Sequence, residues 1–273
     1  MKKYWQVIKT TWQEYGVYRL NFLVWRLRSF IGFLTIYFFW WAVFLPAGRQ
    51  VAGEVFGWHQ EQILTYILGV AMARSIVLSS RTIDVGGEIN QGNLTNYLLK
   101  PLNFLTYWFS RDIADKLLNI ALTIFELTLF FLILKPPFLV QTNPFILVAC
   151  LLSIILATIL YFFINFFLGV IAFWTPESWS GVWGPRFVFT IILEFFAGTI
   201  FPLDILPKPI FAILQLTPFP YLIYFPLKIY LGQVNFLQIF TGFTICLFWM
   251  GIWYLIVEKT WRAGLKVYAA EGR

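Results

Sequence analysis

Long apolar runs separated by short polar stretches set the rhythm of this chain. A membrane span needs roughly 20 mostly apolar residues to cross a hydrocarbon core of about 30 Å. Six windows meet that need: Ser29–Gly48, Gln62–Ser80, Leu117–Lys135, Phe145–Trp174, Phe187–Ile205 and Phe236–Val257. The fourth is long enough to tilt or bend. No period-2 alternation recurs, which argues against a β-barrel. The pattern predicts an all-α membrane protein, a single transmembrane domain over residues 1–273 with six transmembrane helices.

Three stretches depart from that rhythm. In residues 1–28, Trp5, Ile8, Trp12 and Tyr15 recur at helical spacing, with Lys9, Gln13 and Glu14 off that face. Such an amphipathic helix, rich in tryptophan and basic residues, is expected to lie in the membrane interface and to break near Gly16. Residues 81–116 form the longest segment expected on the cytoplasmic side. RTIDVGGEINQGN reads as turns, and Asn93 as an N-cap. Leu94, Tyr97 and Leu98 then give a short apolar face that Pro101 ends. A second helix is expected from near Asn103 into the third span. Residues 201–233 hold Pro202, Pro207, Pro209, Pro218, Pro220 and Pro226. They are too apolar for a solvated loop and too often broken for one helix. Short helices re-entering the membrane fit best, because non-helical backbone at that depth must be shielded.

Composition agrees with lipid as the main solvent. The chain is 60% hydrophobic and 12% charged, with a mean hydropathy of +0.75. Soluble domains carry about a quarter of their residues charged. No secretory signal is expected, since the first apolar residues are interleaved with Lys9, Glu14 and Arg19. The net charge of +7 is distributed unevenly. Lysines and arginines gather before the first span, between the second and third, and after the sixth. By the positive-inside rule both termini face the cytoplasm of a plasma (inner) membrane protein. The basic balance then reports topology and contact with anionic lipid, not nucleic acid.

Little catalytic chemistry is written in the chain. GxxxxGK[ST], GxSxG, HExxH and CxxC are absent, His59 is the one histidine, and Cys150 and Cys246 fall in apolar spans. Neither a metal site nor a catalytic residue can be assembled. Three ionisable residues, Arg74, Glu126 and Glu194, fall within spans. Such residues usually face the bundle interior and pair. Arg74 and Glu194 share a depth of about seven residues, or roughly 10 Å, from the inner end of their spans. Depth therefore favours Arg74–Glu194 over Arg74–Glu126. Both a bundle-holding role and a place on a substrate path are open to them.

Three stretches carry a resemblance: IDVGGEINQGNLTNYLLKPLNFLTYWFSRDIADK, then FFAGTIFPLDILPKPIFAILQLTPFPYLIYFPLKIYLGQ, then the tail EKTWRAGLKVYAAEGR. The chain resembles the permease subunit of a type-2 ABC exporter, in the six-span branch without a fused ATPase. The resemblance implies an interfacial connector helix, a coupling helix between spans two and three, and re-entrant helices between spans five and six. It implies two copies of a separate ATPase subunit, which would hold ATP and magnesium, and a second permease copy or homologue. Glu88, Gly92, Leu94, Tyr97 and Leu98 would then contact the ATPase, the apolar three inserting as a knob. An amphipathic or lipid-like substrate would move out of the cytoplasm or inner leaflet, and this subunit would not itself be an enzyme. Two other functions stay open: a membrane scaffold that recruits an ATPase, and a membrane-embedded lipid-modifying enzyme.

Overall fold

The computed structural model describes residues 2–17, 19–45, 54–99, 103–175 and 183–268. Among them the chain is helical without a strand; one isolated antiparallel bridge joins Val55 and Trp58. Helix α1 (Lys2–Val17) is followed by α2 (Arg19–Val43), and α3 (Gln60–Ala73) runs on through a wide π turn, Arg74–Leu78. A 3-10 turn, Arg81–Ile83, leads into two short helices, α4 (Asp84–Asn90) and α5 (Leu94–Leu98). Then come α6 (Phe104–Leu134), α7 (Pro144–Val170) with a 3-10 extension to Trp174, and α8 (Trp183–Phe196). The chain closes with α9 (Lys208–Gln215), α10 (Tyr224–Tyr230) and α11 (Phe236–Val267).

Asparagine starts three of the long helices. Asn103 Oδ1 accepts from the Thr106 amide at 3.0 Å, and Asn143 Oδ1 from the Phe145 amide at 3.0 Å, with Pro144 in the first helical position. Asn235 and Gln238 exchange side-chain-to-backbone bonds at 2.8 Å in a full capping box. These side chains satisfy amides that lipid would leave unpaired at the start of each helix. Helix α6 ends where Lys135 turns left-handed at φ 44°.

Among the described residues, five helices are long and apolar enough to cross a membrane: Phe22–Val43, Gln60–Leu78, Phe104–Leu134, Pro144–Trp174 and Phe236–Val267. The fifth window, Phe187–Ile205, is not among them. Its helix α8 has 14 residues, about 21 Å at 1.5 Å per residue, short of the roughly 30 Å core. It stops because the next residues are tied to other elements. Gly198 has φ +79°, a conformation open to glycine, and its carbonyl accepts from Tyr66 Oη at 2.6 Å. The Ala197 carbonyl accepts from the Tyr224 amide at 3.0 Å. Among the described residues, five full-length spans and one shorter apolar helix stand where six spans are expected.

The proline-rich stretch forms the short helices expected of it, but α10 sits deep. Leu222, Ile223 and Ile229 are fully buried, and α10 packs on α3 and α7. Helix α7 is the centre of the bundle, with α11 along its length. One apolar core fills the body of the bundle. A second, built from α4, α5, α6, α7 and α11, closes the end where α4 and α5 lie. The flanks of α2, α6 and α11 leave large apolar side chains outside, among them Leu23, Val24, Ile31, Phe125, Leu132, Ile133, Phe240 and Phe248. Lipid accommodates them without cost.

Candidate functional site

The segment read as turns, RTIDVGGEINQGN, is largely helical: a 3-10 turn and then α4. Gly92, at φ +73°, makes the sharp turn into α5. Asn93 precedes α5 without capping it; its side-chain amide instead donates to Gln91 Oε1 at 3.1 Å. The knob expected from Leu94, Tyr97 and Leu98 is split. Leu94 is 0% exposed, inside the terminal core with Trp108 and Phe166. Tyr97 is half-buried against the rings of Phe104 and Tyr107, 5.7 and 5.2 Å away. Burial, together with Tyr107 and Glu88 nearby, pushes the Tyr97 phenol well above its ordinary value, so it stays neutral. Leu98 is exposed, and Leu99 is 80% exposed. The outward surface of this element is therefore Gln91, Asn96, Leu98 and Leu99, with Ile83 beside it, while Glu88 is half-buried on α4. A helical wheel over Leu94–Leu98 cannot separate a face turned to a partner from one turned to the chain's own core.

This element is fixed to the bundle from three sides. Tyr268, just beyond α11, donates from Oη to the Gly92 carbonyl at 2.7 Å. Leu94 anchors α5 in the terminal core, and α4 packs on α7. Upstream, a buried charge network holds the turn to α6. Ser80 Oγ and the Arg81 amide (3.1 Å) both donate to Asp112 Oδ1. Lys116 Nζ lies 3.2 Å from Asp112 Oδ2 and donates to the carbonyls of Val77, at 3.2 Å, and Ser79. Arg81 pairs with Asp84 at 3.1 Å and stacks 4.2 Å from the Tyr15 ring. Arg111 and Lys116, on the helix expected from near Asn103, are both buried on α6 beside Asp112 and Asp115. The legible signal was charge at i, i+1, i+4 and i+5 (Arg111, Asp112, Asp115, Lys116) at the head of an apolar run.

The amphipathic helix α1 packs on α6. Trp12 Nε1 donates to the Ala114 carbonyl at 2.8 Å, Tyr15 Oη donates to Asp115, and Glu14 accepts from Arg111. Ile8 is half-buried, whereas Trp5 is 53% exposed. The predicted face is thus shared between α6 and the surroundings. Gly16 lies within α1 and does not break it.

Higher in the bundle, α2, α3, α6 and α8 enclose a cavity of about 480 Å³. Two ion pairs stand on its wall. Arg74 donates to both carboxylate oxygens of Glu194, one at 2.7 Å, and Thr199 Oγ1 donates to Glu194 at 2.7 Å. The second pair joins Arg26 of α2 to Glu126 of α6. Arg26 reaches Glu126 through Nε at 2.6 Å and Nη2 at 2.7 Å, and Thr123 Oγ1 at 2.6 Å. Arg26 reads as preceding the first span, but α2 is unbroken from Arg19 and the apolar segment starts at Phe22. Helical spacing puts Arg26, Phe33 and Tyr37 on one side. The two rings pack on Phe130 of α6 at 5.3 and 4.8 Å, so Arg26 meets Glu126 one turn away. Arg74 opens the π turn, closed by the Ser79 amide on its carbonyl at 3.2 Å. Such wide turns concentrate at functional sites.

No group of three or more histidine, cysteine or acidic side chains able to hold a metal occurs among the described residues. Cys150 and Cys246 are free and buried. A family model described as ABC-2 family transporter protein matches residues 30–272. No curated protein and no solved structure matches the chain.

Proposed function

Since the chain belongs to the ABC-2 family of transporter proteins, a multi-pass membrane permease of ABC transport, we propose that it forms the substrate pathway of an exporter. In this reading two permeases pair, two separate ATPase chains bind below, and ATP with magnesium is held there. ATP-driven closure of the ATPases pushes on α4 and α5. The push moves the bundle and shifts the pathway from inward to outward access. Both termini lie in the cytoplasm, and the substrate is amphipathic or lipid-like.

The observation that carries this reading is the attachment of α4 and α5. An element that transmits force must be rigidly joined to what it moves. Here the joints are Leu94 in the terminal core, Tyr268 on Gly92, and the Asp112–Lys116 pair under the turn. The free surface is small: Gln91, Asn96, Leu98 and Leu99. Exposed leucines flanked by amides suit a shallow apolar pocket on a protein better than an anionic membrane surface, which attracts cations. The contact is therefore assigned to Leu98 and Leu99, with Leu94 and Tyr97 supporting it from inside. The cavity above, with its two ion pairs, is the pathway's candidate entry.

The test is purification of the full chain in mild detergent and identification of what accompanies it. A stoichiometric chain with a phosphate-binding GxxxxGK[ST] loop is the expected companion, and substrate should change its hydrolysis rate. Recovery of the permease without such a chain, under conditions that keep it folded, would contradict the reading.

A further inference from the structure

Three arginines and two glutamates line the cavity between α2, α3, α6 and α8. Four of these charges are spent on each other in the Arg26–Glu126 and Arg74–Glu194 pairs. The fifth is Arg28. It is exposed, lies 5.1 Å over the Trp25 ring, and has no carboxylate within 4.0 Å among the described residues. The wall is thus left with one positive charge in excess. Arg74 is paired yet 39% exposed, so its guanidinium faces the opening as well as Glu194. The hydroxyls of Ser29 and Thr190 stand on the same wall.

The rest of the lining mixes polar side chains (Ser75, Ser79, Asn119, Thr123 and Thr199) with an apolar group: Phe33, Ile36, Ile67, Val70 and Leu127. The apolar residues lie further along α2, α3 and α6 from the end that carries Arg26 and Arg74. Arg26 is four residues inside the Phe22–Val43 span and Arg74 four residues from the end of Gln60–Leu78. Both therefore stand near the same end of the bundle, the end where α2 enters its apolar segment and α3 leaves it. The cavity has a cationic mouth at that end and an apolar group beyond it.

We propose that this cavity receives a single-chain or small anionic amphiphile, its phosphate, sulfate or carboxylate head at Arg28 and Arg74 and its tail against Phe33, Ile67 and Leu127. This deepens the exporter reading, on which it rests for the onward movement of the ligand, by giving its substrate a charge sign. An excess cation at the mouth of the cavity favours an anion and repels a cationic amphiphile. A zwitterionic head gains less, because its own ammonium approaches Arg28 and Arg74. The apolar interior adds the affinity that a free anion cannot collect.

Binding is measured on the full-length permease in non-ionic detergent with no ATPase present, by native mass spectrometry. The probes are lysophosphatidylglycerol, lysophosphatidylcholine of the same chain length, and inorganic phosphate. The anionic lysolipid should bind saturably and about tenfold tighter than the zwitterionic one, a difference of about 1.4 kcal/mol. Inorganic phosphate should not displace it at equal concentration. Arg28→Gln should abolish the preference, and Arg28→Lys should keep most of it. Lys208→Gln, remote on α9, should leave it unchanged. Arg28 is exposed, so its variants should insert and fold. Equal binding of the two lysolipids, displacement by phosphate alone, or an unchanged preference in Arg28→Gln would each overturn the proposal. None of these outcomes depends on an ATPase companion, so failure here leaves the coupling reading standing, and the converse also holds.

Discussion

Tyr268 donates a hydrogen bond to the Gly92 carbonyl at 2.7 Å, across 176 residues of sequence. It joins the end of α11, the last span, to the turn between α4 and α5. A displacement of that turn is felt at once by α11 and, through its long contact, by α7. Thr95 Oγ1 lies 3.3 Å from the same phenol oxygen, so the tyrosine holds both sides of the turn.

Tyr268→Phe keeps the ring and removes that bond. The expected loss is about 1 kcal/mol of local stability, the net worth of one hydrogen bond. It should appear as faster amide exchange over residues 84–99 and weaker substrate stimulation of the ATPase, with the melting temperature nearly unchanged. Unaltered exchange in that segment would mean the joint lies elsewhere.

Leu94 and Leu99 should respond in opposite ways, although they sit five residues apart. Leu94→Ala leaves a cavity in the terminal core and should cost about 2–5 kcal/mol. Leu99→Ala should leave stability within about 0.5 kcal/mol, since surface positions rarely matter more, while weakening ATPase association. Thermal unfolding in detergent and pull-down of the ATPase separate the two readouts.

The two ion pairs differ in exposure and should differ in cost. Arg26 and Glu126 are 14% and 21% exposed, against 39% and 26% for Arg74 and Glu194. Removing one partner strands a charge, which costs about 3–5 kcal/mol for a fully buried pair and less as water reaches it. Glu126→Gln should therefore destabilise the chain more than Glu194→Gln. An exchanged Arg74→Glu, Glu194→Arg double variant should recover stability that either single change loses. Failure of the exchange to rescue would show that the two act separately.

Close packing between α11 and the end of α7 gives another test. A Cβ on Gly264 would sit 2.1 Å from Phe173 Cδ2, an impossible contact unless the ring moves. That ring is also packed at 5.7 Å on Trp261 and 6.0 Å on Tyr268. Gly264→Ala should thus cost about 1–3 kcal/mol, as overpacked cores do, and Phe173→Leu in the same chain should recover part of it. The readout is the melting temperature of the single and double variants.

Much of this was legible in the sequence. The long apolar windows at residues 62–80, 117–135, 145–174 and 236–257 declare their helices by length alone, and the helix expected from near Asn103 starts there, at Phe104. The fifth window misleads because Ala197, Gly198 and Thr199 read as small span residues. What ends α8 is tertiary: Tyr66 holding Gly198, and Tyr224 holding Ala197. Arg26 misled in the same way, since a charge before an apolar run looks like a topology signal until Glu126 is seen opposite it. Leu94 illustrates a third limit. Periodicity gives a face and not its neighbour, and here the neighbour is Trp108 and Phe166 of the same chain.

The central claim is that α4 and α5 carry motion between an ATPase and the membrane pathway through Leu98 and Leu99. The most direct measurement is substrate-stimulated ATP hydrolysis by the reconstituted permease–ATPase complex, comparing the native chain with a Leu98→Asp, Leu99→Asp variant. The account predicts that the variant inserts and melts like the native chain but loses the stimulation. Full stimulation in a variant shown to be folded and inserted would contradict it.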